Sequence, residues 1–157
     1  MKKLLKHEKV RGFTLIELLV VIAIIGILST VILASLSAAR TKGSTAGIKT
    51  SLAQLRTQGN LYVNEYGNFG TTVAGCGAVN TVFSSVTNAK FDSIRLKINS
   101  DSGFTSSCVN NITGSGSWAV GVQIKPDNGV NYLCTDATGV IKSYASVQTI
   151  TASAVCP

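Results

Sequence analysis

Glu17 is the carboxylate on which the sequence forces some chemistry. It stands directly before Leu18–Leu36, nineteen residues without a charge. A carboxylate at the rim of an apolar medium needs a cation, hydrogen-bond donors or water around it. Just upstream the chain breaks at Arg11-Gly12, then Phe13, and before that it is polar and basic. The other reactive groups are Cys76, Cys108, Cys134 and Cys156, all after the apolar run. They show neither a C-x-x-C nor a Cys/His zinc spacing. An even count held beyond a membrane reads as two disulfides in an oxidising compartment. Four cysteines allow three pairings, and the residues alone do not choose among them.

Most enzyme chemistry is poorly supported. His7 is the only histidine and sits in the basic leader. With the leader removed, a Ser-His-Asp, Cys-His or histidine-metal site is excluded. Asp127 and Asp136 lie in turn-forming sequence and read as turn residues ahead of calcium ligands. Gly114-Ser115-Gly116-Ser117-Trp118-Ala119 mimics a dinucleotide fingerprint, but it precedes a strand instead of opening a helix and is rejected. Asn111-Ile112-Thr113 has the letters of a glycan acceptor and carries no weight by itself. No catalytic residue, metal or cofactor is expected.

The element that must position Glu17 is a helix. Nineteen residues at ~1.5 Å rise cover about 28 Å, close to the ~30 Å of a bilayer's hydrocarbon core. The chain has 157 residues, enough for one domain, and a net charge of +7. That charge is unevenly spread. Lys2, Lys3, Lys6, Lys9 and Arg11 against Glu8 give the leader +4, and the rest of the chain holds nine basic and six acidic residues, +3. The basic balance is therefore mostly a targeting signal, and it does not argue for a nucleic-acid surface. Against Arg40 and Lys42 on the far side, the leader keeps the N-terminus cytoplasmic. An ordinary secretory signal cut after Ser37-Ala38-Ala39 would need a shorter apolar core of ~7–15 residues and would leave Glu17 unexplained. A plain membrane anchor also leaves Glu17 unexplained.

Gly12-Phe13-Thr14-Leu15-Ile16-Glu17 followed by the apolar run resembles the class III leader of type IV pilins and pseudopilins. The family pattern is a basic leader ending in glycine, then phenylalanine, glutamate as fifth residue of the mature chain, and a hydrophobic helix. The resemblance covers about residues 1–40. It implies cleavage between Gly12 and Phe13 by a membrane-embedded prepilin peptidase and methylation of the new Phe13 amine. It further implies storage of the apolar helix in the bilayer, then packing in a filament core. Within that scheme the Phe13 amine of one subunit meets Glu17 of a neighbour, so the buried charge gains a partner on correct assembly and sets axial register. Many pilins carry a proline eight residues after the glycine that Gly26 represents; here the position is Ala34. The absence of proline keeps pseudopilins and competence pilins in contention.

Past Arg40 the pattern becomes one-sided. Ile48, Leu52, Leu55 and Tyr62 make one helical stripe. Tyr66-Gly67-Asn68-Phe69-Gly70 is a stop. One helix is expected from about Phe13 to Tyr66, apolar all round in its first half and laying one face on a sheet in its second. Residues 71–116 show no sustained period; Thr81–Val86 is compatible with a short strand or turn. Phe91–Ile98 alternates as a strand does, although Phe91, Ile94 and Ile98 also have helical spacing. Trp118–Ile124, Val130–Cys134 and Val140–Tyr144 read as three strands, separated by turns at Lys125–Gly129 and Asp136–Gly139. The expected fold is α+β: the long helix packed on a small antiparallel meander with one wet face. The tail to Pro157 would fray unless Cys156 ties it down.

The expected division is leader 1–12, apolar half-helix 13–39 and globular head 40–157. The favoured cysteine pairing is Cys76–Cys108, closing the irregular connection, with Cys134–Cys156 stapling the tail as the C-terminal disulfide loop does in pilins. The resemblance implies a structural subunit of a type IV pilus serving adhesion, twitching motility or DNA uptake. Its partners would be copies of itself and other pilins, the prepilin peptidase, an inner-membrane assembly platform, and the bilayer before assembly. The chain would be single-pass in the inner membrane, then part of a cell-surface pilus. Nucleic acid has no support beyond the +3 charge. The rivals are a pseudopilin of a type II secretion or competence system and, from another class, a secreted enzyme or binding domain behind an ordinary signal.

Overall fold

The computed structural model describes residues 12–112 and 116–157. The leader residues 1–11, His7 among them, and Thr113-Gly114-Ser115 lie outside the described residues, and so do the expectations that fall on them. The chain forms two compact units, Met1–Ala38 and Ala39–Pro157.

Helix α1, Leu15–Tyr66, begins and ends close to where the pattern placed it. In the first unit its large apolar side chains are exposed, from 80 % at Leu15 to 42 % at Leu36. In the second unit a single stripe is buried: Thr45, Ile48, Ser51, Leu52, Leu55, Gly59 and Tyr62. The chain leaves the helix at Gly67, whose φ of 79° favours glycine and whose N–H donates to Val63 O at 2.7 Å.

The second unit carries a five-stranded antiparallel sheet in the order β1-β2-β3-β4-β5: Val73–Ala74, Ser107–Asn111, Ser117–Asp127, Val130–Asp136 and Ile141–Tyr144. Helix α2, Ala89–Ser102, lies between β1 and β2. The three expected strands are present as β3, β4 and β5. The first expected turn is tighter than anticipated. Lys125, Pro126 and Asp127 belong to β3, and only Asn128 and Gly129 turn, with φ of 49° and 80°. Positive φ at both central residues is what a tight hairpin with right-handed twist demands, and Asn-Gly supplies it.

Helical spacing prevails at Phe91–Ile98. Asn88 caps α2 by accepting from Phe91 N at 3.2 Å, and Gly103, φ 79°, closes it onto Asn99 O at 2.9 Å. Phe91 and Ile98 are fully buried, and Asp92 is buried with Arg95, whose Nε donates to its Oδ1 at 2.9 Å. Thr81–Val86 is turn, apart from a single bridge between Thr81 and Gly70.

Alternation along β3 explains the layers. Trp118, Val120, Val122 and Ile124 join the α1 stripe, Phe83, Phe91 and Leu133 in the main core. Phe91 meets Trp118 edge-on, with ring centroids 5.3 Å apart. The opposite face is not wet, as expected from sequence, but covered. Ile150, Ala154 and Cys156 of the tail pack on Val109, Ala119, Tyr132 and Cys134. Both disulfides form with the favoured pairing, Cys76–Cys108 and Cys134–Cys156. Asp136 adds a second tie: its Oδ1 accepts from Thr138 N at 3.0 Å within the turn, and its Oδ2 from Cys156 N at 3.1 Å. Asn111 Nδ2 and Ser117 Oγ donate to Ala152 O and Ser153 O at 2.9 and 2.7 Å. Lys142 Nζ donates to Cys156 O at 2.8 Å, and the Tyr144 hydroxyl donates to Pro157 O.

Candidate functional site

The site begins where α1 begins. Gly12, Phe13 and Thr14 have no regular structure and are exposed; Phe13 is 83 % exposed. Thr14 is the residue before the first helical one. Its N–H and its Oγ1–H both donate to Glu17 Oε2 at 2.9 Å, and Glu17 N–H donates back to Thr14 Oγ1 at 3.3 Å. Thr14 O accepts from Leu18 N at 3.3 Å. This is a capping box, which satisfies backbone donors the first turn would otherwise leave unpaired. A carboxylate there also faces the positive end of the helix dipole.

Thr14 is a site residue that the sequence reading passed over. Its signal is present, since Thr-x-x-Glu ahead of an apolar run spells a capping box. Glu17 therefore has a local role, holding the helix start, irrespective of any intersubunit pair.

Immediately after this cap the apolar surface is continuous. Fifteen large aliphatic side chains between Leu15 and Leu36 are exposed. At ~1.5 kcal/mol or more each, leaving them in water costs upwards of about 20 kcal/mol, beyond the ~5–15 kcal/mol that stabilise a typical domain. Lipid or other protein must cover them. The segment is long and apolar enough to cross a membrane. Gly26 opens onto free space, and α1 continues as a helix through Ala34.

Residues 9–33 match the family model described as the prokaryotic N-terminal methylation motif. That motif is the class III prepilin leader of type IV pilins and pseudopilins. The match leaves residues 34–157 unassigned, and no curated protein and no solved structure matches the chain. The methylation motif and the geometry coincide: the Gly12-Phe13 peptide is exposed and non-helical, and Glu17 lies in the first turn of the helix.

The other candidates separate from this site. The four cysteines are all in disulfides of the second unit. Asp127 ends β3, and Asp136 serves its turn and the tail. Among the described residues no group of three or more His, Cys, Asp or Glu side chains is arranged to hold a metal. On the second unit, an open groove of about 680 Å³ runs between β2 and the tail. Its one cationic wall residue, Arg95, is already committed to Asp92.

Proposed function

We propose that this chain is a structural subunit of a type IV pilus, made as a prepilin and matured by cleavage between Gly12 and Phe13. The observation that carries the reading is the methylation motif leading directly into an apolar helix with no cover of its own. The exposed, irregular Gly12-Phe13 peptide is in the form a protease requires, since a bond inside a helix would first have to unwind. Methylation of the Phe13 amine keeps its positive charge. The bilayer holds the helix until an inner-membrane platform delivers it to copies of itself and other pilins. Burial of the fifteen aliphatic side chains against neighbouring helices then replaces lipid contact.

In this reading Glu17 has two successive partners. In the single chain it accepts from Thr14. In the filament it also meets the Phe13 amine of a neighbour. A carboxylate left unpaired among apolar helices is costly, so subunits stack at the register that supplies the cation. The working division is leader 1–12, membrane and filament-core segment 13–39, and head 40–157. The role is structural and not enzymatic.

A second reading, a pseudopilin of a type II secretion or competence system, is favoured by one feature. Ala34 stands where many pilins have proline, and α1 is helical there. Shearing cells and mapping the fibres by peptide mass separates the two. Long external fibres containing residues 13–157 support the pilus. Retention of all the chain in the cell envelope supports the pseudopilin.

A further inference from the structure

The two disulfides differ in what guards them. Cys134 and Cys156 are both buried, 0 % and 2 % exposed, and packed with the tail residues Ile150 and Ala154. Cys108 is buried as well, at 3 %. Cys76 is the exception. It is half-buried and lines the groove of about 680 Å³ between β2 and the tail.

The chain around Cys76 leaves it uncovered. The run is Ala74-Gly75-Cys76-Gly77-Ala78, without one large side chain. Ala74, Gly75 and Gly77 are exposed, and a Cβ placed on either glycine would meet nothing within 4 Å. Open space thus flanks the cysteine on both sides along the chain. No acidic side chain lines the groove, and its one charged lining residue is Arg95. An approaching thiolate meets no like charge on those walls.

Disulfides exchange by attack of a thiolate on one sulfur, so access decides which of two reacts. A sealed disulfide exchanges only after the structure around it opens. We propose that Cys76 is a thiol–disulfide exchange site of the folded head, open to a dithiol, while Cys134–Cys156 is locked. A thiolate of the dithiol attacks Cys76 Sγ. A bond forms between these two sulfurs, the Cys76–Cys108 bond breaks, and Cys108 leaves as thiolate and takes up a proton. The second thiol, deprotonated, then attacks the sulfur of the first. Cys76 leaves as thiolate and is protonated in turn. The dithiol has become a disulfide, and two electrons and two protons have passed to the protein.

The exchange works a clasp. With the bond open, β1 keeps its two-residue pairing, Val73 with Asn110 and Ala74 with Val109, and the 2.7 Å bond from Gly75 N to Cys108 O. Val82, Phe83, Phe91 and Ile98 are fully buried and still anchor the chain beyond. Reduction therefore loosens the near end of the 75–106 connection and leaves α2 on the core. Every residue involved lies in the second unit, so the result is independent of the filament reading.

The test uses the full chain, folded in detergent without denaturant. Dithiothreitol is added, aliquots are quenched in acid, and free thiols are alkylated after unfolding and mapped by mass. Cys76 and Cys108 should be freed at least about tenfold faster than Cys134 and Cys156, at a rate proportional to dithiothreitol. Glutathione, a monothiol, should leave its early adduct on Cys76 and not on Cys108. Equal rates for the two disulfides, faster opening of Cys134–Cys156, or a glutathione adduct on Cys108 would each overturn the proposal. So would a Cys76–Cys108 rate that ignores dithiothreitol concentration, which marks unfolding as the limiting step.

Discussion

The indole of Trp118 lies against the backbone of Gly59: a Cβ placed at Gly59 would stand 2.7 Å from Trp118 Nε1. Trp118 is fully buried and held edge-on by Phe91, so it has nowhere to go. In a helix Gly→Ala ordinarily gains ~1 kcal/mol. Here overpacking of ~1–3 kcal/mol opposes it, and Gly59→Ala should be destabilising by about 1 kcal/mol. Gly43, also in α1, has nothing within 4 Å, and Gly43→Ala should stabilise. Paired melting curves of the two variants check this; equal upward shifts would show that Trp118 does not press on the helix.

Glu17 has a capping role and a proposed pairing role, and one substitution separates them. Glu17→Gln keeps a side chain able to accept from Thr14, since glutamine also serves in capping boxes. It removes the charge. Hydrogen exchange over residues 15–18 should stay near the parent rate, while filament yield should fall steeply. Thr14→Ala should do the reverse at the helix start, speeding exchange there. Filaments at parental yield from Glu17→Gln would confine Glu17 to capping.

The Cys134–Cys156 disulfide holds a cover over the sheet, not a loose end. Replacing both cysteines with serine should cost about 2–4 kcal/mol. It should also open residues 145–155 to proteolysis, because Ile150 and Ala154 then leave the β4 face. Replacing Cys76 and Cys108 should instead expose the 75–106 connection. Limited proteolysis with mass mapping distinguishes the two, and identical cleavage patterns would contradict this division of labour.

Tyr132 supplies a pH signature. Burial pushes its phenol above the ordinary value, partly offset by its hydrogen bond with Ser107 at 3.0 Å, with a further upward push from Tyr144. Its neutral form is the one the fold favours. Its contribution is therefore complete below the unfolded value near ~10 and is lost as pH rises through the higher folded value. Stability should decline above about pH 10, and Tyr132→Phe should flatten that decline. Denaturant melts between neutral pH and pH ~11 measure it; an unchanged slope in the variant would assign the loss elsewhere.

Period and punctuation made much of this legible from sequence. The apolar run, the Ile48–Tyr62 stripe and the Tyr66-Gly67 stop fixed α1, and Asn128-Gly129 fixed the central hairpin. What escaped depended on partners distant in sequence. Strand β2, Ser-Cys-Val-Asn-Asn, has little strand character of its own. It exists because β3 pairs with all five residues, and because the buried amide of Asn110 donates to Phe69 O and Thr71 O at 2.8 Å. Helix α2 was ambiguous because Phe91–Ile98 alternates as a strand does while Phe91, Ile94 and Ile98 keep helical spacing. The Asp92–Arg95 ion pair, which lets both partners be buried in the helix, joins residues whose pairing the alternation does not show. The covered outer face was hidden in a tail without period, whose order comes from Asp136, Asn111 and the disulfide. Thr14 was readable but overshadowed by Glu17.

The most direct test of the central claim is the intact mass and N-terminal sequence of the chain from cells with an active prepilin peptidase. The account predicts a chain starting at Phe13 and carrying one methyl group on its amine. A chain that keeps residues 1–12 in such cells, or one that starts at Arg40, would contradict it.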